Sequence, residues 1–119
     1  MLFKIENSAA LKRAMEDFSA FLLESAVSQE SVFDCKLVAY ELLGNVLRHA
    51  KQTAELMGEI NNGFVELSIK QNGKPFPYQK GELPPTHAEH GRGLYLVDSV
   101  SAERIVLPDG TTVVRIKIK

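Results

Sequence analysis

Two turn signals constrain this chain more than any other feature. "NNG" (Asn61 to Gly63) and "PDG" (Pro108 to Gly110) each lie between segments that alternate apolar and polar residues. Asn-Gly and Asp-Gly accept the positive φ that tight hairpin turns require. The segments they join are therefore antiparallel neighbours. The first pair spans about residues 53–60 and 64–70, and the second lies within "AERIVLPDGTTVVRIKIK". Residues 2–6 also alternate and predict a short first strand.

Between these strands run segments with helical spacing. Leu11, Ala14, Met15, Phe18, Phe21, Leu22 and Val27 form an apolar stripe, with Lys12, Arg13, Glu16 and Asp17 mostly on the other side. Asn7 or Ser8 offers this helix a cap, and "SQES" (Ser28 to Ser31) ends it and offers a cap to a second helix running to about Ala50. A third helix follows "HGRG", with Leu94, Val97 and Val100 at helical spacing. The long stretch before it holds Pro75, Pro77, Pro84 and Pro85 and reads as a loop of the kind that forms lids. The order is β-α-α-β-β-loop-α-β-β. Five strands and three amphipathic helices bury their faces together as an α+β fold. That fold is a two-layer α/β sandwich with a mainly antiparallel sheet and helices on one face, in one domain over residues 1–119.

Charge narrows the function. A net charge of -1 argues against nucleic acid as partner. Arg115, Lys117 and Lys119 alternate with Val114, Ile116 and Ile118, so they read as the outer face of a strand. No apolar run reaches the roughly 18 residues of a membrane span, and "MLFKIENSAA" lacks the apolar stretch of a signal peptide. The single cysteine, Cys35, forms no internal disulfide and falls on an apolar helix, where it reads as a small core residue. A reducing, cytoplasmic location is the expectation.

The second helix carries the chemistry. With Phe33 at 0° and about 100° per residue, Arg48, Glu41, Asp34, Asn45 and His49 fall at about 60, 80, 100, 120 and 160°. The rest of the wheel is nearly all apolar, so the expected helix has a wide buried surface and one narrow polar stripe. Two readings stand side by side. The stripe faces water, or it floors a cleft in which a carboxylate orients a reacting group and an amide oxygen binds a hard cation such as Mg²⁺. Gly44, in mid-helix, costs about 1 kcal/mol against alanine and calls for a close neighbour in compensation, either another backbone or a ligand. Gly91 and Gly93 likewise read either as a hinge and cap or as an anion site at a helix N-terminus.

"ELLGNVLRH", "QNGKPF" and "HGRGLYLVDSV", in this order, resemble the GHKL ATPase superfamily of histidine-kinase and gyrase ATP-binding domains. The nearest likeness is to the single-domain anti-sigma-factor serine kinases. The resemblance covers most of the chain and implies the Bergerat ATP-binding fold, with its mixed sheet. It implies that Glu41 polarises the attacking group, that Asn45 ligates Mg²⁺ and that His49 stands one turn on. It also implies that Gly91, Arg92, Gly93 and Leu94 cradle phosphates. The family's Asp-x-Gly adenine motif falls on Gln71, Asn72 and Gly73, with the glycine kept and the carboxylate replaced by an amide. The implied cofactors are ATP and Mg²⁺. The implied partner is a regulatory protein of the sigma-factor or antagonist type, with a homodimer left open. Serine-kinase or ATPase turnover is open at this stage. The alternative is a degenerate interaction module of the same fold without nucleotide. Metal binding by His87, Glu89 and His90 has only a loose spacing behind it.

Overall fold

The computed structural model describes residues 1–50, 53–72 and 92–119. The elements run β1 (Leu2–Ile5), α1 (Ser8–Glu24), α2 (Gln29–Asn45), a π-helical turn (Val46–Ala50), β2 (Ala54–Asn61), β3 (Phe64–Gln71), α3 (Arg92–Val100), β4 (Glu103–Val106) and β5 (Thr112–Lys117). The order matches the one expected, and so does the layering. The sheet order is β1-β2-β3-β5-β4. Every ladder in it is antiparallel, the limiting case of the mainly antiparallel sheet and without the parallel pairing that a mixed sheet implies.

Local chemistry sets the boundaries. Asn7 caps α1, its Oδ1 accepting the Ala10 N–H at 2.8 Å. The helix ends in a Schellman arrangement, with Val27 N–H donating to Leu22 O and Ala26 N–H to Leu23 O. Ala26 takes the left-handed position there, at φ 64°. Ser28 caps α2 by accepting the Ser31 N–H at 3.2 Å. Asn62 and Gly63, at φ 52° and 81°, form the turn of the β2–β3 hairpin.

Strand alternation then builds the core. Ala54, Leu56, Val65, Leu67, Ile69, Val114 and Ile116 face the helices and are buried. Against them lie Leu11, Met15, Phe18 and Leu22 of α1, Val38 and Leu43 of α2 and Val97 of α3. Phe18 stands over Gly58 of β2, where a Cβ would come within 2.5 Å of its ring. Phe3 meets the same ring edge-on at 6.3 Å, and Phe21 stacks on it at 6.1 Å.

On the outer face Arg115 behaves as its alternation suggests. Its guanidinium lies 4.3 Å from the centre of the Phe64 ring and pairs with Glu66 and Glu103. Lys119 does not join that face. It turns past the strand end to α2, because a buried acid there needs a cation.

Candidate functional site

Helix α2 positions the site, and its polar stripe changes character along its length. At the N-terminal end Asp34 is 5% exposed. Lys119 Nζ stands 3.2 Å from its Oδ2 and 3.1 Å from Glu30 Oε1, while the Lys119 N–H donates to Ser31 Oγ at 2.8 Å. The contacts with Glu30 and Asp34 raise the Lys119 pKa. Cys35, beside Asp34, is buried in the core, and burial with the neighbouring carboxylate pushes its thiol up to about 12. It is a core residue and not a nucleophile, as its position on the wheel suggested.

Two turns on, Glu41 and Asn45 are half-buried. Among the described residues no ion pair or hydrogen bond engages Glu41. Asn45 Oδ1 meets one donor, Arg48 Nη2, at 3.5 Å. The same guanidinium lies over Gly44, where a Cβ would sit 2.8 Å from Arg48 Nη1. Among the described residues, the close neighbour at Gly44 is the side chain of Arg48. The wide buried surface expected of α2 is also corrected. Phe33 is 67% exposed and Tyr40 is 39% exposed, while the acid Asp34 is buried.

The α geometry ends at Asn45. Val46–Ala50 form a π turn, whose smaller angle per residue replaces the 100° step that placed Arg48 and His49 on the wheel. The backbone of His49 lies in this turn, and its side chain is outside the described residues. Such turns recur at functional sites, because they re-aim side chains without ending the helix.

The exit of β3 carries the adenine-motif residues that the resemblance implied. Gln71 pairs with Ala54 in register, so it shares the helix-side face with Leu67 and Ile69. It is half-buried and its amide oxygen is shielded from solvent. Asn72 clasps the start of β2: its N–H donates to Thr53 O at 2.8 Å and its Nδ2 to Thr53 Oγ1 at 2.7 Å. Gly73 lies outside the described residues.

Helix α3 begins at Arg92, at the Gly-Arg-Gly segment, and packs against α2. Leu94 is half-buried and Val97 is fully buried. Gly91 lies outside the described residues, as do the side chain of Arg92 and the surroundings of Gly93. Sequence reasoning missed what fastens this helix. Arg104 of β4, with its side chain 6% exposed, grips Asp98 with two bonds, Nε to Oδ1 at 2.7 Å and Nη2 to Oδ2 at 3.0 Å. A basic residue at an inward-facing strand position was the available signal.

The chemistry of the donor set would suit a divalent cation. An amide oxygen and a carboxylate are hard ligands, and a cationic group already stands at the Asn45 oxygen. The first N–H groups of a helix suit an anion. His87, Glu89 and His90 lie outside the described residues, and among the described ones no group of three metal-ligating side chains gathers. No helix among them is long and apolar enough to cross a membrane.

A family model, the histidine kinase-like ATPase domain, matches residues 6–117. No curated protein matches the chain.

Proposed function

Because the chain belongs to the histidine kinase-like ATPase domain family, we propose that it is an Mg·ATP-binding regulatory domain of the anti-sigma-factor serine-kinase type. It binds a partner protein of the sigma-factor or antagonist type and phosphorylates a serine on it. One observation supports this reading above the others. Glu41 and Asn45 stand one turn apart, half-buried, with no partner among the described residues but the 3.5 Å contact from Arg48.

The residues then divide the work. Asn45 Oδ1 holds the cation, which when bound neutralises phosphate charge. The N–H groups at the start of α3, from Arg92 to Leu94 with Gly91 before them, hold phosphate oxygens. His49 borders the same end of α2. Glu41 orients the serine hydroxyl and takes its proton as the oxygen attacks the γ-phosphorus and the bond to the β–γ bridging oxygen breaks. The amide oxygen of Gln71 accepts from the adenine amino group. An amide in place of a carboxylate forgoes a charge-assisted bond worth about 1.5–3 kcal/mol, so nucleotide affinity is expected to be modest.

Calorimetric titration with Mg·ATP and Mg·ADP tests the reading. Saturable heat, together with phosphate transfer to a serine partner that Glu41→Gln abolishes, is the expected result. Absence of heat at millimolar nucleotide contradicts it. Gln71 also favours a second reading, an interaction module that has lost its nucleotide. Binding that appears only in Gln71→Asp would select that second reading.

A further inference from the structure

We propose that Gln71 makes this a site for purine nucleotides at large, taking guanine as readily as adenine. The proposal rests on the nucleotide reading above and redefines its substrate class. In the β2–β3 hairpin the ladder turns Leu56, Val65, Leu67 and Ile69 toward the helices, where they are buried. Among the described residues on that face of the hairpin, Gln71 carries the one polar side chain. It is half-buried, with its amide oxygen shielded from solvent. Glu55 and Lys70, the adjacent pair in the ladder, alternate to the opposite face. Asn72 is engaged elsewhere, its Nδ2 donating to Thr53 Oγ1 at 2.7 Å, and this clasp fixes the strand end from which Gln71 projects. Asp109 is held by its own turn, where it accepts the Thr111 N–H at 2.9 Å. An apolar surface with one placed polar group is the arrangement by which a small-molecule site sets specificity.

The chemistry of that group decides which bases it accepts. A carboxamide holds an acceptor and a donor side by side. Toward adenine, its oxygen accepts from the 6-amino group while its NH2 donates to the adjacent ring nitrogen. A half-turn about the last side-chain bond exchanges the two ends. The NH2 then donates to the 6-oxo group of guanine, and the oxygen accepts from the neighbouring ring N–H. Each purine thus meets two complementary bonds from the same side chain. An ionised carboxylate has acceptors only. It serves the 6-amino group and sets lone pairs against the 6-oxo oxygen, which rejects guanine. The amide at position 71 removes that rejection and evens out the two bases.

Parallel calorimetric titrations of the full chain with Mg·ATP and Mg·GTP test it. They are run at about pH 8, where an introduced carboxyl is ionised. The natural chain is expected to bind the two with Kd values within about tenfold of each other. Gln71→Glu keeps the length of the side chain and leaves only acceptors. It is expected to move the ratio of the two Kd values toward ATP by at least about tenfold. Gln71→Asp repeats the acceptor-only test with a shorter side chain and the same expected direction. Mg·GTP bound more than about tenfold weaker than Mg·ATP by the natural chain overturns the proposal and leaves the Mg·ATP reading standing. A ratio that both variants leave unmoved also overturns it, because side chain 71 then does not read the base. Heat from neither nucleotide overturns the Mg·ATP reading and the proposal with it.

Discussion

Asp34 and Glu41 stand two turns apart on one side of one helix, and the structure uses them in opposite ways. Asp34 is buried, and its charge is answered by Lys119 from the far end of the chain. Glu41 is half-buried, and among the described residues nothing answers it. A carboxylate out of water needs a partner, so the first acid is part of the scaffold and ties the last strand to α2. The second keeps its oxygens available, at the end of the helix where the α geometry gives way to a π turn. A single polar stripe on a wheel thus contains two different devices, and burial with partnership separates them.

Several substitutions sharpen or break this division. Asn45→Ala carries the largest expected effect. Mg·ATP at about 100 times its Kd adds about 2.7 kcal/mol to the stability of the natural chain. The variant is expected to gain none of it, while its unliganded stability stays within about 0.5 kcal/mol. Asp34→Asn is expected to do the reverse. Chemical denaturation should show a loss of about 1–3 kcal/mol, with the nucleotide Kd within about twofold of the natural value. Equal losses of affinity from the two variants would erase the distinction.

The Lys119 contact adds a pH signature. Its folded pKa lies above the ordinary 10.5, so its contribution is full below that value and fades as pH rises through the folded value. Stability followed into the alkaline range should therefore fall more steeply in the natural chain than in Lys119→Met. Cys35, with its pKa raised to about 12, adds to the fall in both chains and cancels in the comparison. The smallest effect belongs to Gly44→Ala. Helix propensity favours alanine by about 1 kcal/mol. The new Cβ displaces only the far end of Arg48, so a net gain of a few tenths to about 1 kcal/mol is expected in thermal unfolding.

How much of this was legible beforehand depended on the range of the interaction. Caps and turns are local, so Asn7, Ser28 and the Asn62-Gly63 turn announced themselves, and with them the element order and the layering. The pairing of Lys119 with Asp34 spans the whole fold, and no spacing rule connects residues that distant. Past Asn45 the wheel's single helical period no longer applies, because Val46–Ala50 form a π turn, yet Arg48 still reaches the Asn45 oxygen. It also read Phe33 as buried, since hydrophobicity alone does not say which side of a helix the sheet will cover. Gly44 did signal a close neighbour, but the neighbour was Arg48, four residues further along the same chain. The Arg104–Asp98 clamp escaped because a charged residue facing inward looks like noise until its partner is in place.

Backbone and side-chain amide NMR during a titration with Mg·ATP tests the central claim most directly. The expected result is a set of shifts at Glu41, at the Asn45 side chain and at the first turn of α3, with Ser31, Asp34 and Lys119 unmoved. Shifts centred on the Asp34 end, or none at millimolar nucleotide, would contradict it.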